Sequence, residues 1–233
     1  MAHPLDNPLW AALTGPQAPF AERLGRAVRF APDVSPFAAV ADDTGWADLA
    51  TLVGPGGTAL VPDASVEPAD GWELVGAIPG VQMDGSAFEG APDPEAVVLG
   101  QADVPEMLDL VSRTQPGPFL PRTIALGTYL GIRRDGALVA MAGERMRPPG
   151  WTEISAVCTD PAYRGQGLAA RLVRAVAVGI RRRGDEPFLH TAADNHSAQR
   201  LYAHLGFTHR RTVLFAAFRA VEPALPEPVR SRT

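Results

Sequence analysis

The chain is 233 residues long, 46% hydrophobic and 20% charged, with a formal net charge of −5 and arginine at all 21 basic positions. That length buries a real core in one large or two small domains, and the absence of lysine excludes Schiff-base chemistry and lysine general bases on this chain. No apolar run approaches the roughly 20 residues that span a bilayer. The negative charge and 7% aromatic content argue against broad nucleic-acid binding, and the one cysteine, Cys158, cannot form an intrachain disulfide.

The first half is dense in proline and glycine. It reads as a helix near residues 8–14, an apolar strand at 37–41, and a helix at 46–53 ended by Gly54-Pro55-Gly56-Gly57, after which 58–61 resumes as a strand. Residues 72–78 are another strand, and the acid-, glycine- and proline-rich stretch 84–95 reads as a linker. Beyond it the pattern is regular. A short buried strand is expected at 96–100 and a helix at 104–113, followed by a hairpin of 129–134 and 137–147 around Asp135-Gly136, a strong two-residue turn signal. Pro148-Pro149-Gly150 then turns the chain into a strand at 153–159. A helix at 167–183 carries Leu168, Leu172, Val173, Val176 and Ile180 on one face. A strand at 188–191, a helix at 197–205 closed by Gly206, and a last strand at 212–218 complete the order. The expected division is an N-terminal α/β unit at 1–90, a second domain at 91–220, and a loosely held tail at 221–233.

The stretch 156–170 carries the chemistry. An apolar strand ends in Thr159-Asp160-Pro161, a tight turn follows with Gly165 and Gly167 bracketing one residue, and a long helix begins. Several N–H groups can there point at one anion, with Arg164 at the mouth of the turn. Amides at Gly165, Gln166, Gly167, Leu168 and Ala169 suit a pyrophosphate, because glycine lets the backbone approach closely. Two glycines also build ordinary turns. Cys158 reads more simply as a small core residue than as a nucleophile. His190, His196, His204 and His209 lack a ligand set with carboxylate support, so no metal is expected.

Arg164-Gly-Gln-Gly-Leu-Ala169 resembles the Arg/Gln-x-x-Gly-x-Gly/Ala loop of the GNAT acyltransferase superfamily, and Asn195, Ala198, Leu201-Tyr202 and Leu205-Gly206-Phe207 are similar to its second motif. The resemblance runs from about residue 96 to 220 and implies an α/β fold whose mixed sheet is splayed between two central strands, with acyl-CoA wedged into the opening. Residues 1–90 lack the motif, and their elements are compatible with a degenerate second copy of the fold, as in glycine-acyltransferase-like relatives. In the implied site, strand-edge groups of Val157 and Thr159 pair with the pantetheine amides, and the N–H of Val157 or Cys158 polarises the thioester carbonyl. Asn195, with Ser197, bonds the pantetheine arm, and Tyr202 protonates the departing thiolate. Asn195 reads equally as a helix cap and Tyr202 as core.

The implied reaction is transfer of an acetyl or other short acyl group from acetyl-CoA to a small-molecule or peptide amine, with Glu153 first and Glu144 second as general base. Two other readings stay open: an acyl-CoA-binding sensor without catalysis, and a dinucleotide-binding oxidoreductase. The latter needs a ribose-binding acid at the end of the next strand, where this chain has His190-Thr191. Charge is uneven. Residues 1–95 hold three arginines against fourteen acids, and residues 151–220 hold ten against five. Either the acidic part attracts a cationic acceptor, or the two halves pair with each other. The N-terminus lacks the regions of a signal peptide. A cytoplasmic monomer or homodimer is therefore expected, with no membrane and no nucleic-acid partner.

Overall fold

The computed structural model describes residues 3–62 and 69–221; the expected tail lies outside them beyond Val221. The N-terminal strands β1 (Ala21–Leu24), β2 (Ala27–Phe30) and β3 (Ala38–Val40) form an antiparallel sheet, flanked by helices α1 (Pro8–Leu13) and α2 (Trp46–Val53). The remaining strands are β4 (Thr58–Pro62), β5 (Trp72–Asp84), β6 (Val97–Leu99), β7 (Tyr129–Arg134), β8 (Ala137–Glu144), β9 (Trp151–Thr159), β10 (Glu186–Ala192) and β11 (Thr208–Ala220). Among the described residues they build one mixed sheet in the order β4-β11-β5-β10-β9-β8-β7-β6. Helices α3 (Val104–Thr114), α4 (Leu168–Arg182) and α5 (His196–Leu205) complete the fold.

Local chemistry explains most of these elements. Asp135 and Gly136 both have positive φ, as a two-residue turn between twisted strands requires. β9 and β10 are parallel, so α4 makes the crossover between them. Its apolar stripe, Leu168, Leu172, Val173, Val176 and Ile180, packs onto Ile132, Ala140, Ile154 and Leu189 of the sheet. Apolar residues of the N-terminal unit, among them Leu9, Leu13, Val28, Phe30 and Phe37, form another core with Met146 and Phe188.

Several expectations need correction. β5 continues six residues beyond the expected end at Ile78, passing through Pro79. Proline is tolerated there because the β10 ladder reaches only Gly80, and past it Pro79 accepts from Ala193 N–H instead of donating. β4 and β5, both before residue 90, sit in the same sheet as the strands after it, so the division expected at that point cuts through the sheet. β6 is an edge strand with Val97 and Val98 exposed, not a buried one. β1 and β2 were not anticipated.

The stretch 84–95, expected as a linker, is packed. Phe88 is buried against Phe207 at 4.8 Å between ring centroids, and the Arg181 guanidinium donates to the carbonyls of Gly85, Ser86 and Phe88. No helix among the described residues is long and apolar enough to cross a membrane. Phe88→Ala is expected to cost about 3 kcal/mol, read from urea denaturation; a cost below about 1 kcal/mol would return the segment to a passive tether.

Candidate active site

The β9–β10 ladder pairs Trp151–Ile154 with Glu186–Leu189 and stops. Beyond it β10 stays on β5 through Ala192, while β9 stays on β8 through Thr159. On β9 the register shifts: Met141 faces Cys158 but Gly143 faces Ser155, so Ala142 stands against two residues. Ala156, at that bulge, has φ +52, a backbone conformation uncommon for a residue with a Cβ. The strands part there, and a cleft opens beside residues 155–159 of β9.

The glycine turn closes one end of this cleft. Asp160 accepts from Ala162 N–H and starts the turn. Gly165 and Gly167 have φ +78 and +72, with nothing within 4 Å of a Cβ placed on either, so the backbone there is both bent and open. Among the described residues, no carbonyl accepts from the N–H groups of residues 165–169. Five donors at the N-terminus of a 15-residue helix are thus free to meet an anion.

A cavity of about 480 Å3 lies before them. Val157, Cys158, Thr159, Arg164, Gly165, Gly167, Leu168, Ala169, Asn195, Ser197 and Tyr202 all line it; Gln166 alone of the anticipated cofactor residues does not. A second cavity of about 350 Å3 adjoins, and Val157, Asn195 and Tyr202 line both. Asn195 is also the cap of α5, accepting from Ala198 N–H at 3.1 Å and Ser197 Oγ at 3.0 Å. Burial, with the Cys158 thiol nearby, pushes the Tyr202 phenol up to about 12, so at neutral pH it is a donor. Burial also pushes the Cys158 thiol up to about 11, which leaves little thiolate for nucleophilic chemistry.

The two expected bases are misplaced. Glu153 is fully buried and lines neither cavity. It accepts from Arg145 Nε at 2.8 Å and Nη2 at 2.7 Å, and from His190 Nδ1 at 2.8 Å. Burial works to raise its pKa, but the Arg145 charge and these hydrogen bonds outweigh it and hold the carboxyl at about 2, far too acidic for an effective base. Glu144 is buried against Arg183 at 2.8 Å and also lines neither cavity.

His190 is equally committed. The Gln82 amide oxygen accepts from Arg210 Nη1, and its nitrogen donates to the Leu5 carbonyl and faces His190 Nε2. That orientation makes His190 Nε2 an acceptor and Nδ1–H the donor to Glu153.

Residues that the sequence pattern does not mark line the second cavity: Phe37, Leu60, Ile78, Arg145 and Phe215. The weak signals for them were apolar side chains on short strands and an arginine just past a strand end. No carboxylate lines either cavity among the described residues, and no group of three or more His, Cys, Asp or Glu is placed there to hold a metal. Acids of the first half instead pair with arginines of the second, as in Asp6–Arg210, Glu73–Arg219 and Asp93–Arg171. Part of the uneven charge is therefore paired internally, between the two halves.

A glycine turn and helix N-terminus facing a parted mixed sheet define the class as an N-acetyltransferase-type fold. Residues 129–216 match the family model described as FR47-like protein. A GNAT-family crystal structure from Novosphingobium aromaticivorans DSM 12444 is 42% identical, covering 95% of this chain and 100% of that one with a TM-score of 0.88. A GCN5-related N-acetyltransferase from Kribbella flavida shares the fold at 19% identity and TM-score 0.57, over 93% of this chain and 97% of that one. The N-alpha-acetyltransferase RimI of Mycobacterium tuberculosis (strain ATCC 25618 / H37Rv) is 38% identical over 82 residues, 34% of this chain and 51% of RimI, so the match spans about half of that curated relative. The chain belongs to the GNAT family.

Removing Glu153's charge should expose how costly its partner is. Glu153→Gln strands the buried Arg145 cation and is expected to lose about 3–5 kcal/mol in denaturant unfolding, whereas Arg219→Gln at the exposed Glu73 pair should lose under about 1 kcal/mol. Because the Glu153 pKa is depressed in the fold, its stabilisation is complete above its ordinary value of 4.5 and fades as pH falls toward 2. Acid titration of the wild-type protein, but not of Glu153→Gln, should carry that component.

Proposed function

We propose that this chain moves an acetyl or other short acyl group from acyl-CoA to a primary amine by direct attack in a ternary complex, in the cytoplasm. The observation that carries the reading is the set of unspent N–H groups at 165–169, four of whose residues line a cavity that runs on to Tyr202.

Acetyl-CoA supplies an activated thioester on a pyrophosphate-bearing carrier. The residue 165–169 amides and Arg164 hold the pyrophosphate, where the helix dipole adds to the charge. The free edge of β9 at Val157 and Thr159 pairs with the amide-bearing arm as an added strand would, and Asn195 with Ser197 faces the same arm. The N–H of Val157 or Cys158, beside the bulge at Ala156, polarises the carbonyl where negative charge develops. Tyr202, at the junction of the two cavities, donates its proton to the leaving thiolate and regains it from solvent. The C–N bond forms as the C–S bond breaks. With no carboxylate lining either cavity among the described residues, the amine proton leaves to water.

Arg164→Glu places a like charge beside the pyrophosphate. It is expected to weaken acetyl-CoA binding by at least about 10-fold with the melting temperature of the free protein unchanged. Equal affinity in calorimetry would remove the loop from cofactor binding. Tyr202→Phe is expected to lower kcat by about 100-fold while acetyl-CoA affinity holds. In the wild type, Tyr202 should impose no alkaline limb on kcat until pH approaches 12. Unchanged turnover in Tyr202→Phe with a competent amine would exclude the tyrosine as the acid.

A further inference from the structure

The second cavity is built unlike the first. Besides polar groups such as Ser155, His190 and Thr191, its wall includes apolar side chains from distant parts of the chain: Phe37 and Leu60 from the N-terminal half, Ile78 from β5, and Phe215 from β11. Ile78 is 59% exposed, a large apolar side chain left open in a cleft. Deep among these residues sits Arg145, 7% exposed. Glu153 takes its Nε and Nη2, and its guanidinium carbon lies 4.7 Å from the Phe37 ring centroid. Its third nitrogen, Nη1, meets no acceptor among the described residues. It is also not one of the solvent-shielded atoms left unpartnered. A rigid guanidinium held on one edge and one face, with a donor to spare in a cavity it lines, is a prepared site for a second carboxylate.

On this acyltransferase reading, we propose that Arg145 receives a carboxylate of the acyl acceptor, and that the acceptor is a free amino acid with an apolar side chain. The amine must reach Val157 and Tyr202, where the two cavities meet. The carboxylate then turns toward Arg145, and the side chain falls on Leu60, Ile78 and Phe215. A volume of about 350 Å3 is at the small end of small-molecule sites, which suits one amino acid better than a polypeptide end. A polyamine fits poorly, because among the described residues no carboxylate lines the cavity to pair with its second cation. His190 offers no alternative anchor, since Glu153 and Gln82 occupy both ring nitrogens.

The test measures thiol release from acetyl-CoA by the wild-type chain with leucine, phenylalanine and methionine, each beside its primary amide and its decarboxylated amine. Acetyl-CoA affinity is followed separately by calorimetry. The expected result is a kcat/KM roughly 10- to 100-fold higher for the acids, as loss of one charge-assisted hydrogen bond predicts. A double variant, Arg145→Gln with Glu153→Gln, avoids a stranded charge and is expected to keep acetyl-CoA affinity while losing the preference for acid over amide. Amides or bare amines that work equally well overturn the carboxylate site but leave acyl transfer standing. The carboxylate site is likewise overturned if acetyl-CoA binds and no amino acid of the panel raises thiol release above the blank. Failure of the wild type to bind acetyl-CoA overturns the acyltransferase reading itself.

Discussion

The parallel ladder between β9 and β10 runs for four residue pairs and ends because each strand is held by its other neighbour. β9 follows β8 through a bulge at Ala156, opposite Ala142, and β10 follows β5. A sheet that parts in its middle leaves backbone groups along a free edge, and such groups must find partners in water or a ligand. The free edge at residues 155–159 and the two cavities that share Val157 follow from that parting. A continuous ladder would close the cleft. Ala156 holds a left-handed backbone at the bulge, a local strain that the pairing on both sides of it maintains.

At the apex of the opening lies a polar cluster that reaches across the molecule. Glu153 on β9 binds Arg145 just beyond β8 and His190 on β10; His190 binds Gln82 on β5, which binds Arg210 on β11 and the Leu5 carbonyl. A buried ion pair is weak evidence for net stability, since apolar side chains of similar volume often serve as well. Geometry is what this cluster supplies. It ties the strands together next to the last pair of the β9–β10 ladder and fixes the plane of the Arg145 guanidinium. It also explains why Glu153 cannot serve as a base: the partners that fix it hold it ionised.

What could be read from the sequence followed the range of the interaction concerned. The strand, glycine turn and helix at 153–182 were legible because turn chemistry and a 3.6-residue apolar period are local, and most residues of that stretch expected at a cofactor line one cavity. β1 and β2 escaped notice because they are four residues long with charged residues inside. Their one clue was Glu22 and Arg29, paired across the strands at 2.7 Å. Pro79 hid the second half of β5, since the ladder that makes proline harmless there comes from β10, over 100 residues later. The base assignment failed for a similar reason. A carboxylate on a strand reads the same whether it faces a cleft or an arginine, and Arg145 reaches Glu153 only through the turn at 148–150.

The same logic separates the two cavities by origin. All the side chains around the larger one lie between Thr114 and Tyr202, the stretch where the motifs sit. The smaller one depends on Phe37, Leu60 and Ile78, which no motif marks. Phe37 stands in the core that joins the N-terminal strands to the main sheet, and its ring also carries the Arg145 guanidinium. A change in the N-terminal packing would therefore move the wall and the charge of the smaller cavity together, without touching the glycine turn. The two cavities share Gln115, Pro116, Val157, Asn195, Ala198 and Tyr202, and the smaller adds to that common stretch Phe37, Leu60, Ile78 and Phe215 from outside it.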